Sequence, residues 1–325
     1  MAYGTKRRVE HEPTIELIGA NIEASLSPAM MNDTFTMLEM SPQEWWYARY
    51  PFRHIPNRGI RIGSLKGLLN LKSQQGRKGL GITIPYKSDI LQTGIVTPGD
   101  SIVPITGVTN TLINNRDGTW TGYNTDVVGI KGALMPHLLT VATKPSIVLG
   151  AGATATSAVM ALGEMGAPEV SVAARRESQA KGLVEKLQPH FPDTRLDSVE
   201  LDTDQNSQLA RRGLYAGLIL NTTPMGQTGT QYVGVNPYGG LYLRDKVLMD
   251  VVYDPLLTPF LRSGIDDECR LVHGIEMLAH QASEQLALFA NEPLIETERL
   301  VIARSMLAAG YRERLWRADS RSEWH

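Results

Sequence analysis

The chain has 325 residues, enough for two domains of ordinary size, each with its own core. Hydrophobic residues make up 42% and charged residues 20%, the composition of a globular protein rather than a disordered one. A formal net charge of −2 and the lack of any apolar run near the roughly 20 residues of a membrane span exclude a nucleic-acid footprint and a membrane partner.

From the N-terminus, Met1 to Pro13 has basic residues but no apolar stretch of the kind a secretory signal needs. The short basic clusters Lys6-Arg7-Arg8 and Arg211-Arg212 read as solvated faces. Strands are predicted over residues 16–20, 45–50 and 79–83, with helices over 28–39 and 60–73; Pro28 suits a first helical turn. Residues 106–114 and 119–124 read as two strands joined by the turn Asn115-Arg-Asp-Gly118. Further strands are predicted over 145–150, 169–174, 218–221 and 246–252, with helices to about Met165 and over 178–187. The single cysteine, Cys269, excludes an intramolecular disulfide, and its neighbours Asp266, Asp267 and Glu268 predict an inert thiol in a reducing, cytoplasmic setting. Helical periodicity resumes over 274–289 and from Leu294 to about Leu307, and the charged tail from Arg312 to His325 reads as loosely ordered. Alternating strands and helices predict an α/β fold with parallel sheet.

Between a predicted strand and a predicted helix stands Gly150-Ala-Gly152-Ala-Thr-Ala155, a match to G-x-G-x-x-G/A. In that setting the first glycine allows the tight turn, the second lets backbone approach a pyrophosphate, and the helix N-terminus offers N–H groups to phosphate. About 20 residues on, where an NAD site wants an acid for the ribose hydroxyl, the chain reads Ala174-Arg175-Arg176. Two guanidiniums suit a 2′-phosphate, so NADP is the expected cofactor; Glu177 keeps NAD open.

Other segments place polar groups at strand ends, the usual site of ligand chemistry in open α/β sheets. Ser25-Leu-Ser27-Pro28 sets two hydroxyls two apart before a helix, where they can cap it or hold a carboxylate. Gly81-Ile-Thr83-Ile-Pro85-Tyr-Lys87, Gly107-Val-Thr-Asn110-Thr and Gly122-Tyr-Asn124-Thr125-Asp126 follow. Taken in order with Asn221-Thr-Thr-Pro-Met-Gly226, Asp250-Val-Val-Tyr253-Asp-Pro255 and Gly274-Ile-Glu-Met277-Leu-Ala-His-Gln281, the chain resembles the shikimate dehydrogenase family over about residues 17–290.

That resemblance implies reversible hydride transfer between 3-dehydroshikimate and shikimate, a small ring carboxylate, in a monomer or homodimer. It implies Lys87 and Asp126 as the proton-transfer pair, Ser25 and Ser27 as carboxylate binders, and Thr83, Asn110, Thr125, Tyr253 and Gln281 around the ring. It implies cofactor contacts from Gly150, Ala151, Gly152, Ala153, Thr154, Arg175, Arg176, Thr222, Pro224, Met225, Gly274 and Met277. The implied organisation is a substrate domain over 1–126, a Rossmann-type NADP domain over 127–273, and C-terminal helices over 274–325 that return to the first domain. Departures from the family pattern stand at Gly81, Met31, Ala153 and Gln227, and Val127-Val128-Gly129 replaces a Gly-x-Gly. They leave quinate or an aminoshikimate as alternative substrates; a non-catalytic sensor would have no need of Lys87 with Asp126. The seven histidines lack metal-ligand spacing, and no metal is expected; His273 and His280 read as packing residues.

Overall fold

The computed structural model describes residues 12–322, with side chains up to Arg314; Lys6-Arg7-Arg8 and residues 323–325 lie outside the described residues. The first half builds β1 (Ile15–Gly19), α1 (Ser27–Met37), β2 (Tyr47–Pro51), α2 (Arg58–Gln74), β3 (Gly79–Ile82), β4 (Val96–Pro98), α3 (Ile102–Thr106), β5 (Thr111–Asn114) and β6 (Trp120–Tyr123). These strands form one mixed sheet in the order β2-β1-β3-β5-β6-β4. The predicted turn between β5 and β6 is present, with Arg116 and Gly118 at φ 64° and 89°. The strand expected over 106–114 is shorter: Asp100 Oδ1 accepts the Ile102 and Val103 N–H groups at 2.9 and 2.7 Å and starts α3 there instead. Gly107, at φ 61°, ends that helix, and extended backbone begins only afterwards.

A second sheet follows from α4 (Thr125–Leu134), α5 (Leu138–Thr143), β7 (Ser146–Leu149), α6 (Ala153–Glu164), β8 (Glu169–Ala174), α7 (Glu177–Leu187), β9 (Arg195–Glu200), α8 (Gln208–Tyr215), β10 (Leu218–Asn221), β11 (Val247–Asp250), α9 (Pro259–Arg262) and β12 (Arg270–Val272). Its strands are all parallel and run β12-β11-β10-β7-β8-β9, the doubly wound order. The strand order reverses between β7 and β10, where such folds open a crevice for ligand. The strands that pattern reading missed, β4, β9 and β12, all sit at sheet edges, where short length and charged residues blunt the apolar signal.

Two closing helices, α10 (Gly274–Ala290) and α11 (Glu296–Ser322), complete the chain. Ile275, Ala279, Ala282 and Leu286 of α10 join Ile302, Met306 and Ala309 of α11 in a core with Ile15, Met30 and Phe35 of the first sheet's layer. On its other side α10 sends Met277 into the core beneath the second sheet, beside Val127 and Ile130 of α4. The late helix therefore touches both halves. The expected loose tail is corrected, because α11 runs on to Ser322 and its charged residues find tertiary partners. Arg312 pairs with Asp33 at 2.6 Å, and Arg314 pairs with Asp254. Among the described residues no helix is long and apolar enough to cross a membrane.

Candidate active site

At the crevice of the second sheet lies a cleft of about 690 Å³. Its floor is the β7–α6 turn, Gly150 to Thr154, with Thr222, Thr223, Pro224 and Met225 along one side. Gly150 has φ 113°, and a Cβ there would stand 2.6 Å from Thr222 Oγ1, so a side chain is excluded on both counts. Gly152 precedes α6 without a side-chain cap and has open space where a Cβ would be, so the first N–H groups of the helix face the cleft bare. Ala155 is fully buried in the layer behind. Arg175 and Arg176, both exposed at the end of β8, form the cleft's far end with Gln179 and Leu201. At the near end the cleft reaches Ile84, Pro85, Lys87 and Ser88 from the loop after β3.

Lys87 thus belongs to the cleft and to a buried polar cluster at once. Its Nζ lies 2.6 Å from Asp126 Oδ2. Asp126 is in the first turn of α4, where the helix dipole favours a carboxylate, and it is 3% exposed. Asn110 Nδ2 lies 2.7 Å from Asp126 Oδ1, 2.9 Å from Thr125 Oγ1 and 3.2 Å from Gln281 Oε1. Its Oδ1 accepts the Thr125 N–H at 2.9 Å. Thr83, just past β3, is half-buried, and its Cγ2 would stand 2.4 Å from a Cβ on Gly19, so β1 can run past only as glycine.

The remaining expected residues fall into two groups. Ser25 and Ser27 are buried, with their Oγ atoms 3.4 Å apart, and the Arg49 guanidinium donates to the Ser25 carbonyl. The N-cap position of α1 is Leu26, and Ser25 Oγ accepts the N–H of Ser27, the helix's first residue, at 3.3 Å. Tyr253, in the turn after β11, packs against the first sheet's core. Gly274 and Met277, expected at the cofactor, do not line the cleft, and neither do Ser25, Ser27 and Tyr253. A Cβ on Gly274 would come within 2.5 Å of the Val251 carbonyl, and Met277 is buried in the core.

Of the two glycines that let Gln281 reach Asn110, Gly129 stands in a motif visible in the sequence and Gly132 does not. A Cβ on Gly129 would meet the Met277 carbonyl at 2.7 Å and Gln281 Cβ at 2.8 Å, and one on Gly132 would meet the His280 ring at 2.5 Å. These two glycines of α4 set how closely α10 can approach. His280 is spent on that contact, and burial holds its pKa below the ordinary value. His273 is the N-cap of α10, in a capping box with Glu276. Gln285, one turn after Gln281, donates to Thr111 Oγ1 at 2.8 Å and so braces the Asn110 segment. The i, i+4 pair of glutamines on one helix face was the signal available for it. Among the described residues no group of three or more His, Cys, Asp or Glu side chains could hold a metal ion.

No family model matches the chain. Among curated proteins it is 33% identical over 281 residues to the NADP⁺-dependent shikimate dehydrogenase of Geobacter sp. (strain M21), covering 85% of this chain and 89% of that one. It is 31% identical over 285 residues to the corresponding protein of Prochlorococcus marinus (strain AS9601), covering 85% and 91%. Among solved structures, a shikimate dehydrogenase in complex with NADP⁺ aligns with a TM-score of 0.74 at 25% identity over 92% of this chain and 94% of that one. The quinate dehydrogenase of Corynebacterium glutamicum in complex with NAD aligns with a TM-score of 0.75 at 24% identity, covering 92% and 100%, a likeness of fold.

Proposed function

Because the chain belongs to the shikimate dehydrogenase family, we propose that it interconverts shikimate and 3-dehydroshikimate with NADP as hydride carrier. The observation that carries this reading is the Lys87–Asp126 contact of 2.6 Å at the near end of the dinucleotide cleft.

The cleft fits the cofactor. A turn with glycine at 150 and 152 and bare helix N–H groups suit a pyrophosphate, and the exposed guanidiniums of Arg175 and Arg176 suit a 2′-phosphate. When bound, NADP supplies the ring carbon that takes up or returns the hydride. The protein does the rest. Lys87 and Asp126 together receive the hydroxyl proton in one direction and return it in the other. Asn110 holds the Asp126 carboxylate and, with Thr125 and Gln281, offers donors and acceptors to ring hydroxyls. Thr83 and Tyr253 complete the ring's surroundings, and the Ser25 and Ser27 hydroxyls donate to the substrate carboxylate. Gly274 and Met277 act on the cofactor through backbone and packing rather than as cleft walls.

The same proposal divides the chain into a substrate domain over 1–126, a cofactor domain over 127–273 and returning helices over 274–325. It sets the protein in the cytoplasm as a monomer or homodimer, which size-exclusion chromatography with light scattering tests.

The decisive experiment crosses shikimate and quinate with NADP⁺ and NAD⁺ and follows nicotinamide absorbance. High kcat/KM for shikimate with NADP⁺ is expected. Turnover of quinate with NAD⁺ in preference would replace the proposed substrate and cofactor, and silence with all four pairs would overturn the reading.

A further inference from the structure

Two buried residues of the ordered motifs, Asn221 and Asp250, have no part in the site as described so far. Each is the last residue of its strand, β10 and β11, and the two are register partners across the parallel ladder. Both are fully buried, and neither lines the cleft. Asp250 Oδ1 accepts from Asn221 Nδ2 and from the Val252 N–H, each at 2.9 Å, while Oδ2 accepts from Thr258 Oγ1 at 2.6 Å.

This arrangement decides which way the Asn221 amide points. With Nδ2 claimed by the carboxylate, Oδ1 faces the following loop, where it accepts the Thr223 N–H at 3.0 Å and the Thr223 hydroxyl at 2.7 Å. Thr223 Oγ1 in turn accepts the Met225 N–H at 3.3 Å. A flipped amide would set Nδ2 against the Thr223 N–H and Oδ1 against the carboxylate, an opposition that two fully buried side chains cannot relieve with water. The loop so folded, Thr222 to Met225, is one wall of the cleft.

We propose that Asp250 is a positioning residue for the cofactor: it fixes the orientation of the Asn221 amide and through it the shape of the Thr222–Met225 wall. The proposal rests on the reading of the cleft as the NADP site. What Asp250 supplies is an acceptor at one defined point rather than a negative charge. An asparagine at 250 can present its oxygen to Asn221 and Val252 and donate from its nitrogen to Thr258 Oγ1; an alanine can do neither.

The test is NADPH affinity, read from the change in its fluorescence on binding, so that no turnover is needed. The variants are Asp250→Ala, Asp250→Asn, Asn221→Ala and the double variant Asn221→Ala/Asp250→Ala, each with its thermal midpoint recorded. Asp250→Ala is expected to weaken NADPH about tenfold or more, and Asp250→Asn to recover most of that loss. Because Asp250 acts through Asn221, the double variant is expected to bind no more weakly than Asn221→Ala alone. If Asp250→Ala does not fold, Asp250→Ser, too short to reach Asn221, takes its place. Wild-type affinity in folded Asp250→Ala, equal losses in the Ala and Asn variants, or losses that multiply in the double variant would each overturn the proposal. A wild type that binds NADPH but oxidises neither shikimate nor quinate defeats the substrate reading and leaves this comparison intact. One that binds no NADPH defeats both.

Discussion

At the scale of single residues, Lys87 makes the sharpest prediction. It faces the cleft and contacts Asp126, so Lys87→Ala should lower turnover by roughly 10²–10⁴-fold, the size expected of a lost general acid–base, while NADPH still binds. Turnover near wild type would remove it from the mechanism. Arg175 is exposed at the cleft's far end, so its side chain is free to meet a phosphate without disturbing the core. Arg175→Ala should weaken NADP⁺ about 10-fold or more and NAD⁺ hardly at all, in the range of a charge-assisted contact; equal losses would deny it the 2′-phosphate. Asp250 carries a prediction about pH. Burial outweighs its three hydrogen bonds and raises its pKa from 3.8 to about 7. Between those values the folded chain holds a proton that the unfolded chain has released, so stability falls as pH rises from about 4 to about 7. The slope from this group is at most on the order of 1.4 kcal/mol per pH unit. Melting curves of wild type and Asp250→Asn across that window should diverge toward neutral pH, with the variant gaining; parallel curves would mean that Asp250 keeps an ordinary pKa.

At the scale of elements, the packing of α4 on α10 decides whether Gln281 reaches Asn110 and Thr125. Gly129 belongs to a motif legible in the sequence, but its reason is visible only where the helices cross. A methyl group there has no room before the Met277 carbonyl, a backbone atom that cannot turn aside. Gly129→Ala should cost about 1–3 kcal/mol as overpacking and move Gln281 away from Asn110 and Thr125. The expected signature is a raised KM for the ring substrate with NADPH affinity less affected; unchanged KM would show that α10 tolerates the shift. Elements also show where pattern reading lapses. The central strands β7, β8, β10 and β11 carry nearly unbroken apolar runs and were legible. The edge strand β9 has only two apolar residues, Leu196 and Val199, and α3 depends on a cap from Asp100 that the run of apolar residues concealed.

For the whole molecule, α10 and α11 are the pieces that make two sheets into one protein. Ile302, Met306 and Ala309 of α11 are buried in a core that also holds Met30 and Phe35. A chain ending at Pro293 would expose that surface, and its first half should lose cooperative thermal unfolding; a sharp, wild-type-like transition would show α11 to be dispensable. The alternation of strand and helix, the glycine turn at Gly150, the arginines after β8 and the ordered polar motifs were determined by the sequence alone, because each rests on local spacing: a tight turn, a helix start, a strand end. The family resemblance implied that Lys87 pairs with Asp126 and that Gln281 returns to the first domain, but only the tertiary structure supplied the contacts, across 39 and 171 positions, and the hold of Asp250 on the amide of Asn221. Those contacts depend on where sheets and helices pack. Packing is fixed by close approach at residues such as Gly129 and Gly274, whose spacing along the chain carries no record of the atoms they face.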